Sequence, residues 1–386
     1  MSGRWGSGVY RVARAPDILP MVKNRLRDIA TAHGCAGFGV TDADEFSGVA
    51  ATLRSRVEAG LAGRKRFTYK NPEMAADVRV SFPWAASIIV VSWSYLQRAG
   101  SPREAAPGTG RIARFATEDH YAGLRAATAA MRTELLERGH RAEVLVDDDR
   151  LVDRAAAVRA GVAWWGKNTM ALDPRHGPWL LLGSVVTDAK IGPNAPMRRD
   201  CGTCDACIPA CPTGAIIAPG VLDASRCLAH WAQTAGSFPL DLREVMGDRI
   251  YGCDDCLEAC PPGRKLLPGA QTGPGRVDLI ELLASDDADL LDRYAHFYIP
   301  RRRPRILRRN AIIAFGNVYT GTGNRGTLDV LGSYLNDDDP QLRAHVAWAI
   351  GRVGGDTAKA LLEAQFGIEW VLEVREEIKQ ALSGLR

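Results

Sequence analysis

Apolar residues recur at helical spacing between positions 17 and 32, where Ile18, Met21, Val22, Leu26 and Ile29 would share one face of an amphipathic helix. A short apolar stretch over 36–40 predicts a strand closed by Thr41 and Asp42. Ile88, Ile89, Val90 and Val91 form an unbroken β-branched run, which predicts a strand over 87–92 covered on both faces. Residues 95–110 are rich in glycine, proline and charge and predict a loop. Leu124, Ala127, Met131 and Leu135 predict a long helix over 119–139, and further strands are predicted at 143–146 and 179–186. Helices interleaved with covered strands make residues 1–190 an α/β or α+β domain.

The pattern changes twice beyond that point. Residues 191–275 have short spacers with much glycine, proline and aspartate, and eight of the nine cysteines lie within 201–260. Bound metal, rather than an apolar core, is expected to hold this segment together. Residues 276–386 are helical in pattern and self-similar. Ala311-Ile312-Ile313-Ala314-Phe315-Gly316 resembles Val346-Ala347-Trp348-Ala349-Ile350-Gly351, each preceded by an arginine (Arg308, Arg343), with a fainter echo at Arg375, Ile378, Ala381 and Leu382. Self-similarity at roughly 30–40 residues marks stacked helix pairs of the HEAT type. Three units therefore follow one another: an α/β (α+β) domain, a ferredoxin-like segment and a HEAT-like helical domain.

A length of 386 residues exceeds one core and suits such a division. The net charge of +4 does not by itself define a nucleic-acid partner. Its distribution is more informative: Arg301, Arg302, Arg303, Arg305, Arg308 and Arg309 crowd the start of the repeats and could contact phosphates. A solvated surface or an acidic protein partner are the plainer alternatives. No apolar run approaches the roughly 20 residues that span a bilayer. The first fourteen residues lack the apolar centre of a secretory signal, so a cytoplasmic setting without a membrane is expected. There, clustered cysteines bind metal or do redox chemistry more often than they form disulfides.

Cys201, Cys204, Cys207 and Cys211, followed by Pro212, form the C-x2-C-x2-C-x3-C-P run of two-cluster ferredoxins. Cys253, Cys256 and Cys260, followed by Pro261, repeat its last three members, and Cys227 can supply the missing first one. Three thiolates on a tight loop reach three corners of an iron cube, while the fourth is carried by its turn toward the neighbouring cluster. One [4Fe-4S] cluster would use Cys201, Cys204, Cys207 and Cys260, and the other Cys227, Cys253, Cys256 and Cys211. Zinc also favours paired C-x2-C, but it does not call for two interlocked sets. Cys35, at the start of an apolar strand, reads as a core thiol.

The order of motifs resembles the epoxyqueuosine reductase family. The matching stretches are Ala160-Gly161-Val162-Ala163-Trp164-Trp165-Gly166-Lys167-Asn168-Thr169, Leu182-Gly183, Thr187-Asp188 and the first cysteine run with Pro212-Thr213-Gly214-Ala215-Ile216. Arg249-Ile250-Tyr251-Gly252-Cys253-Asp254-Asp255-Cys256 and Arg309-Asn310-Ala311 continue the likeness. The resemblance implies base-off cobalamin in the first domain, two [4Fe-4S] clusters, and an electron donor such as a flavodoxin or ferredoxin. The implied reaction converts epoxyqueuosine to queuosine in tRNA. It implies Asp147 as the proton donor and Lys167, Asn168 and Thr169 as contacts to the corrin side chains. His230 is a conceivable axial ligand, set against a structural role. This chain departs from the family's pattern at Asp148, Asp149 and Arg150, at Asp119-His120-Tyr121, and near Ala75, where the family shows an arginine. Two other functions are compatible with the residues: an iron–sulfur electron carrier without corrinoid, and a paralogous corrinoid reductase acting on a small molecule.

Overall fold

The computed structural model describes residues 18–64, 67–96, 108–269 and 275–385. Most of the predicted 95–110 loop and the amino-terminal seventeen residues lie outside these.

Val22, Leu26 and Ile29 are buried along helix α1 (Ile18–Ala32), as their spacing predicts, whereas Met21 faces solvent. Four strands form the central sheet: β1 (Gly37–Asp42), β2 (Ser87–Ser94), β3 (Ala142–Leu145) and β4 (Leu180–Thr187), in the order β1-β2-β4-β3. Every pairing is antiparallel, so the first unit is α+β. Ile88, Ile89, Val90 and Val91 are completely buried because both faces of β2 are covered. Ile89 and Val91 pack with α1 and with Leu124, Met131 and Leu135 of helix α2 (His120–Glu137). Ile88 and Val90 pack with Phe46, Phe82 and the alanines of the short helix α3 (Asp153–Arg159).

The expectation that metal alone organises the cysteine segment needs correction. Leu228, Trp231, Phe238, Leu242, Met246, Ile250 and Tyr251 are buried in one apolar core with the carboxy-terminal helices. A second sheet also crosses the expected boundaries. Thr109–Ile112 is its middle strand, parallel to Arg249–Tyr251 and antiparallel to Gly275–Asp278.

The helical repeats comprise α4 (Arg305–Val318), α5 (Arg325–Ser333), α6 (Pro340–Val353), α7 (Gly355–Ile368) and α8 (Leu372–Gly384). The two self-similar hexapeptides occupy the buried faces of α4 and α6. Their glycines explain the shared pattern. A Cβ on Gly316 would lie 2.9 Å from Ala349 of α6, and one on Gly351 would lie 2.7 Å from Ala381 of α8. Each repeat thus presents a bare backbone to the next helix.

Candidate metal centre and active site

All nine cysteines are free thiols. The first run folds as consecutive tight turns, with the Cys204 amide donating to the Cys201 carbonyl (3.0 Å) and the Cys211 amide to that of Ile208 (3.2 Å). Gly202 takes a left-handed φ of 50°, and its amide is held by Asp200 Oδ1 at 2.7 Å. Such turns bring alternate side chains to one side.

One cavity is lined by Cys201, Cys204, Cys207 and Cys260 together with Lys167, Asn168, Leu172 and Pro261. Cys260 comes from the second run, so the structure joins the two runs at this point. Around Cys256, burial and then the nearby Cys253, Cys227 and Cys211 push the thiol well above its ordinary range. Burial likewise pushes Cys253 up to about 12 and Cys260 up to about 11. Burial raises Cys207 and Cys227 as well, so these buried thiols resist ionisation until a cation is shared among them. Among the described residues, no three His, Cys, Asp or Glu side chains converge on a single-ion position. Cys201, Cys204, Cys207 and Cys260 line a space instead, as a multi-iron cube requires. Exposure differs within the first group: Cys204 is exposed, whereas Cys207 and Cys260 are buried.

The loop after Trp164 and Trp165 ties the first unit to both runs. Lys167 Nζ donates to the Gly202 carbonyl at 2.8 Å, and Asn168 Nδ2 reaches the Cys256 carbonyl at 3.5 Å. Asn168 Oδ1 accepts from the Met170 amide, while Thr169 has a positive φ of 68°. Lys167 and Asn168, read from the family likeness as corrin contacts, therefore stand in the wall of the cysteine-lined cavity.

Asp147 follows β3 in a left-handed conformation, φ 53°, and is exposed. The acidic turn does not cap α3, whose N-cap is Val152. Asp148 instead forms a two-pronged ion pair with Arg150 (2.8 and 2.6 Å). The carboxyl that burial lifts well above the usual range is Asp153, whose Oδ1 is buried without a hydrogen-bond partner. Tyr121 is also pushed up, by burial and then by Asp147 and Asp153, which places these three groups in one electrostatic neighbourhood. Asp153 does not stand out in the sequence, because LVDR reads as an ordinary helix start, and Tyr121 is visible there only within the Asp119-His120-Tyr121 departure.

The remaining candidates separate. Cys35 is half-buried, and burial pushes its thiol up to about 11, as befits packing rather than chemistry. His230 Nε2 accepts from the Arg64 amide at 3.2 Å and its ring packs edge-on against Trp231, a structural role. The arginine run is not one ridge. Arg309 is buried in a cage of carbonyls from Trp231, Thr234 and Gly236 (2.8, 2.7 and 2.6 Å), and burial lowers it to about 9. Arg308 pairs with Asp287, and Arg305 with Asp339 at 2.9 Å. Arg301, Arg302 and Arg303 remain exposed, the first two with left-handed φ of 54°. Arg301, Arg303, Arg305 and Arg309 line a cavity of about 350 Å³ between the 235–236 turn and the starts of α4 and α6.

These features define a two-cluster iron–sulfur protein built onto an α+β domain and a helical solenoid. Residues 200–263 match the 4Fe-4S double cluster binding domain, and residues 300–383 match HEAT repeats. The chain is 34% identical over 273 residues to the epoxyqueuosine reductase of Bacillus anthracis, covering 69% of this chain and 71% of that one. It is 29% identical over 378 residues to the enzyme of Bacillus subtilis, covering 95% and 96%. The crystal structure of epoxyqueuosine reductase with an epoxyqueuosine-modified tRNA-Tyr stem loop superposes with a TM-score of 0.86 at 28% identity, covering 95% of this chain and 99% of that one. A Bacillus subtilis structure of epoxyqueuosine reductase in which the catalytic aspartate loop is swung out of the active site superposes with a TM-score of 0.85 at 27% identity, covering 95% of this chain and 100% of that one. The chain belongs to the epoxyqueuosine reductase family.

Proposed function

We infer that this protein reduces the oxirane of epoxyqueuosine in tRNA to the alkene of queuosine. The reaction consumes two electrons and two protons, breaks both C–O bonds and releases water. The observation that carries this reading is the pair of interleaved cysteine groups abutting the α+β domain, within a chain that follows its relatives almost end to end.

Cys201, Cys204, Cys207 and Cys260 would hold one cluster, and Cys227, Cys253, Cys256 and Cys211 the other. Base-off cobalamin on the first domain would supply, when bound, a strongly reducing cobalt to open the epoxide. The residues present suit such a polar macrocycle: Asp153 Oδ1 and Trp164 Nε1 are buried without hydrogen-bond partners, and Trp165 is 41% exposed. Thr169 and the neighbouring backbone would face the corrin edge, with Lys167 and Asn168 on the cluster side. Asp147 would donate a proton to the departing oxygen, and its exposed position suits a group that must meet a substrate brought from outside. The swung-out catalytic aspartate loop of the Bacillus subtilis relative supports a mobile role for this turn.

Exposed Arg301, Arg302 and Arg303 would contact tRNA phosphates, which position the molecule while a pocket takes the modified base. The relative bound to a tRNA stem loop supports this partner. A flavodoxin or ferredoxin would deliver electrons. No helix among the described residues is long and apolar enough to cross a membrane, and a tRNA substrate would suit a cytoplasmic setting.

The test is direct. Reduced, cobalamin-loaded protein is incubated with epoxyqueuosine-bearing tRNA, and the nucleoside is weighed by mass spectrometry. Loss of one oxygen to give the alkene supports the assignment; untouched epoxide with both cofactors filled overturns it.

A further inference from the structure

We propose that Lys167 separates the two clusters in reduction potential, holding the one bound by Cys201, Cys204, Cys207 and Cys260 above its neighbour. The proposal rests on the cluster assignment above and adds which cluster takes the first electron.

Lys167 belongs to the α+β domain in sequence but stands in the wall of the first cysteine cavity. Its Nζ is anchored 2.8 Å from the carbonyl of Gly202, the residue between Cys201 and Cys204. Among the described residues, no carboxylate forms an ion pair with it. The nearby acid Asp200 spends Oδ1 on the Gly202 amide, and Asp205 lies within the run itself. Arg199 adds a second cation on this side, its guanidinium 5.4 Å from the Trp164 ring.

The second group has the opposite balance. Asp254, Asp255 and Glu258 flank Cys253 and Cys256 in sequence, against Arg249 and Arg114; a third cation of this group, Arg226 beside Cys227, is exposed and donates to the Thr213 carbonyl at 2.7 Å. Arg249 and Arg114 are consumed: Arg249 pairs with Asp255 at 2.5 Å, and Arg114 with Glu258 and with Asp254 at 3.5 Å. Asp254 is itself buried.

Adding an electron to a cluster adds negative charge. An unpaired ammonium beside the sulfurs stabilises that charge and raises the potential, whereas an acid surplus and burial lower it. The first electron from the donor therefore rests on the Lys167-side cluster, and the second cluster is reduced only at lower potential.

The experiment is an anaerobic redox titration of the cluster-loaded protein followed by electron paramagnetic resonance. Wild type, Lys167→Gln and Lys167→Arg are compared. Gln keeps an N–H for the Gly202 carbonyl and removes the charge; Arg keeps both. Two resolved one-electron waves are expected in wild type. The upper wave should move down in Lys167→Gln, stay near wild type in Lys167→Arg, and be the wave whose signal changes in Cys204→Ser. The lower wave should not move. Unresolved wild-type waves overturn the proposal even if a variant loses iron. So does an upper wave indifferent to Lys167→Gln, or one shifted equally by Lys167→Arg. About four irons per chain instead of about eight would instead overturn the two-cluster reading beneath it.

Discussion

Asp147 is held in a backbone conformation that costs a non-glycine residue of order 1 kcal/mol or more, a strain that tends to persist at functional turns. Asp147→Asn is therefore expected to keep the cluster and corrinoid spectra while lowering turnover by about 10²–10⁴-fold, the usual worth of a positioned acid. Single-turnover assays on spectrally matched protein check this; undiminished turnover would remove Asp147 from the proton step. The cysteines were legible at this scale because their spacing is itself the chemistry. The pairing of Asp153 with Tyr121 was not. Their distinction is burial beside Asp147, which arises only when β3, α2 and α3 pack together. The arginine run was legible as charge but not as geometry: Arg309 looks like its neighbours in sequence, yet it is a buried strut for the 231–236 segment.

Among the elements, the helical repeats depend on close contacts where side chains are absent. A Cβ on Gly351 would meet Ala381 at 2.7 Å, so Gly351→Val should force α6 and α8 apart and cost about 1–3 kcal/mol. A lowered melting temperature with unchanged iron content would show it. The buried Arg343–Glu369 pair gives the same region a pH dependence. Its guanidinium, donating at 2.8 and 2.9 Å, holds the Glu369 carboxyl down to about 2. A depressed folded-state value means the stabilisation is complete above the unfolded value of about 4.3 and fades as pH falls toward 2. Denaturant melts at pH 5, 4 and 3 should show a declining midpoint in wild type and a shallower decline in Glu369→Gln. The repeat was visible in the sequence because glycine and arginine recur with the apolar face. The antiparallel order of the first sheet was not, since a covered strand reads alike in either orientation.

For the whole molecule, the cysteine runs and the apolar core divide the work of holding residues 200–263. The stretch around the first run has few buried apolar residues, whereas the stretch beyond Cys227 is packed against the repeats. Chelating the iron anaerobically should open the first run to proteolysis near Cys204 while leaving the central sheet and repeats resistant. Mapping the cut sites by mass spectrometry would check it, and uniform resistance would mean that the clusters carry no structural share. Composition changes along the chain marked three stretches, but they said nothing of strand exchange between distant segments.

The three-stranded sheet with Thr109–Ile112 at its centre has an evolutionary corollary. A ferredoxin-like cassette cut cleanly from position 191 onward would leave its central strand behind with the other piece and present two unmatched edges to solvent. Recombination could not have traded this segment as a portable module after the sheet had formed. Inheritance of the electron relay and the catalytic half should accordingly be locked together, with insertions tolerated around them and shuffling between them selected against.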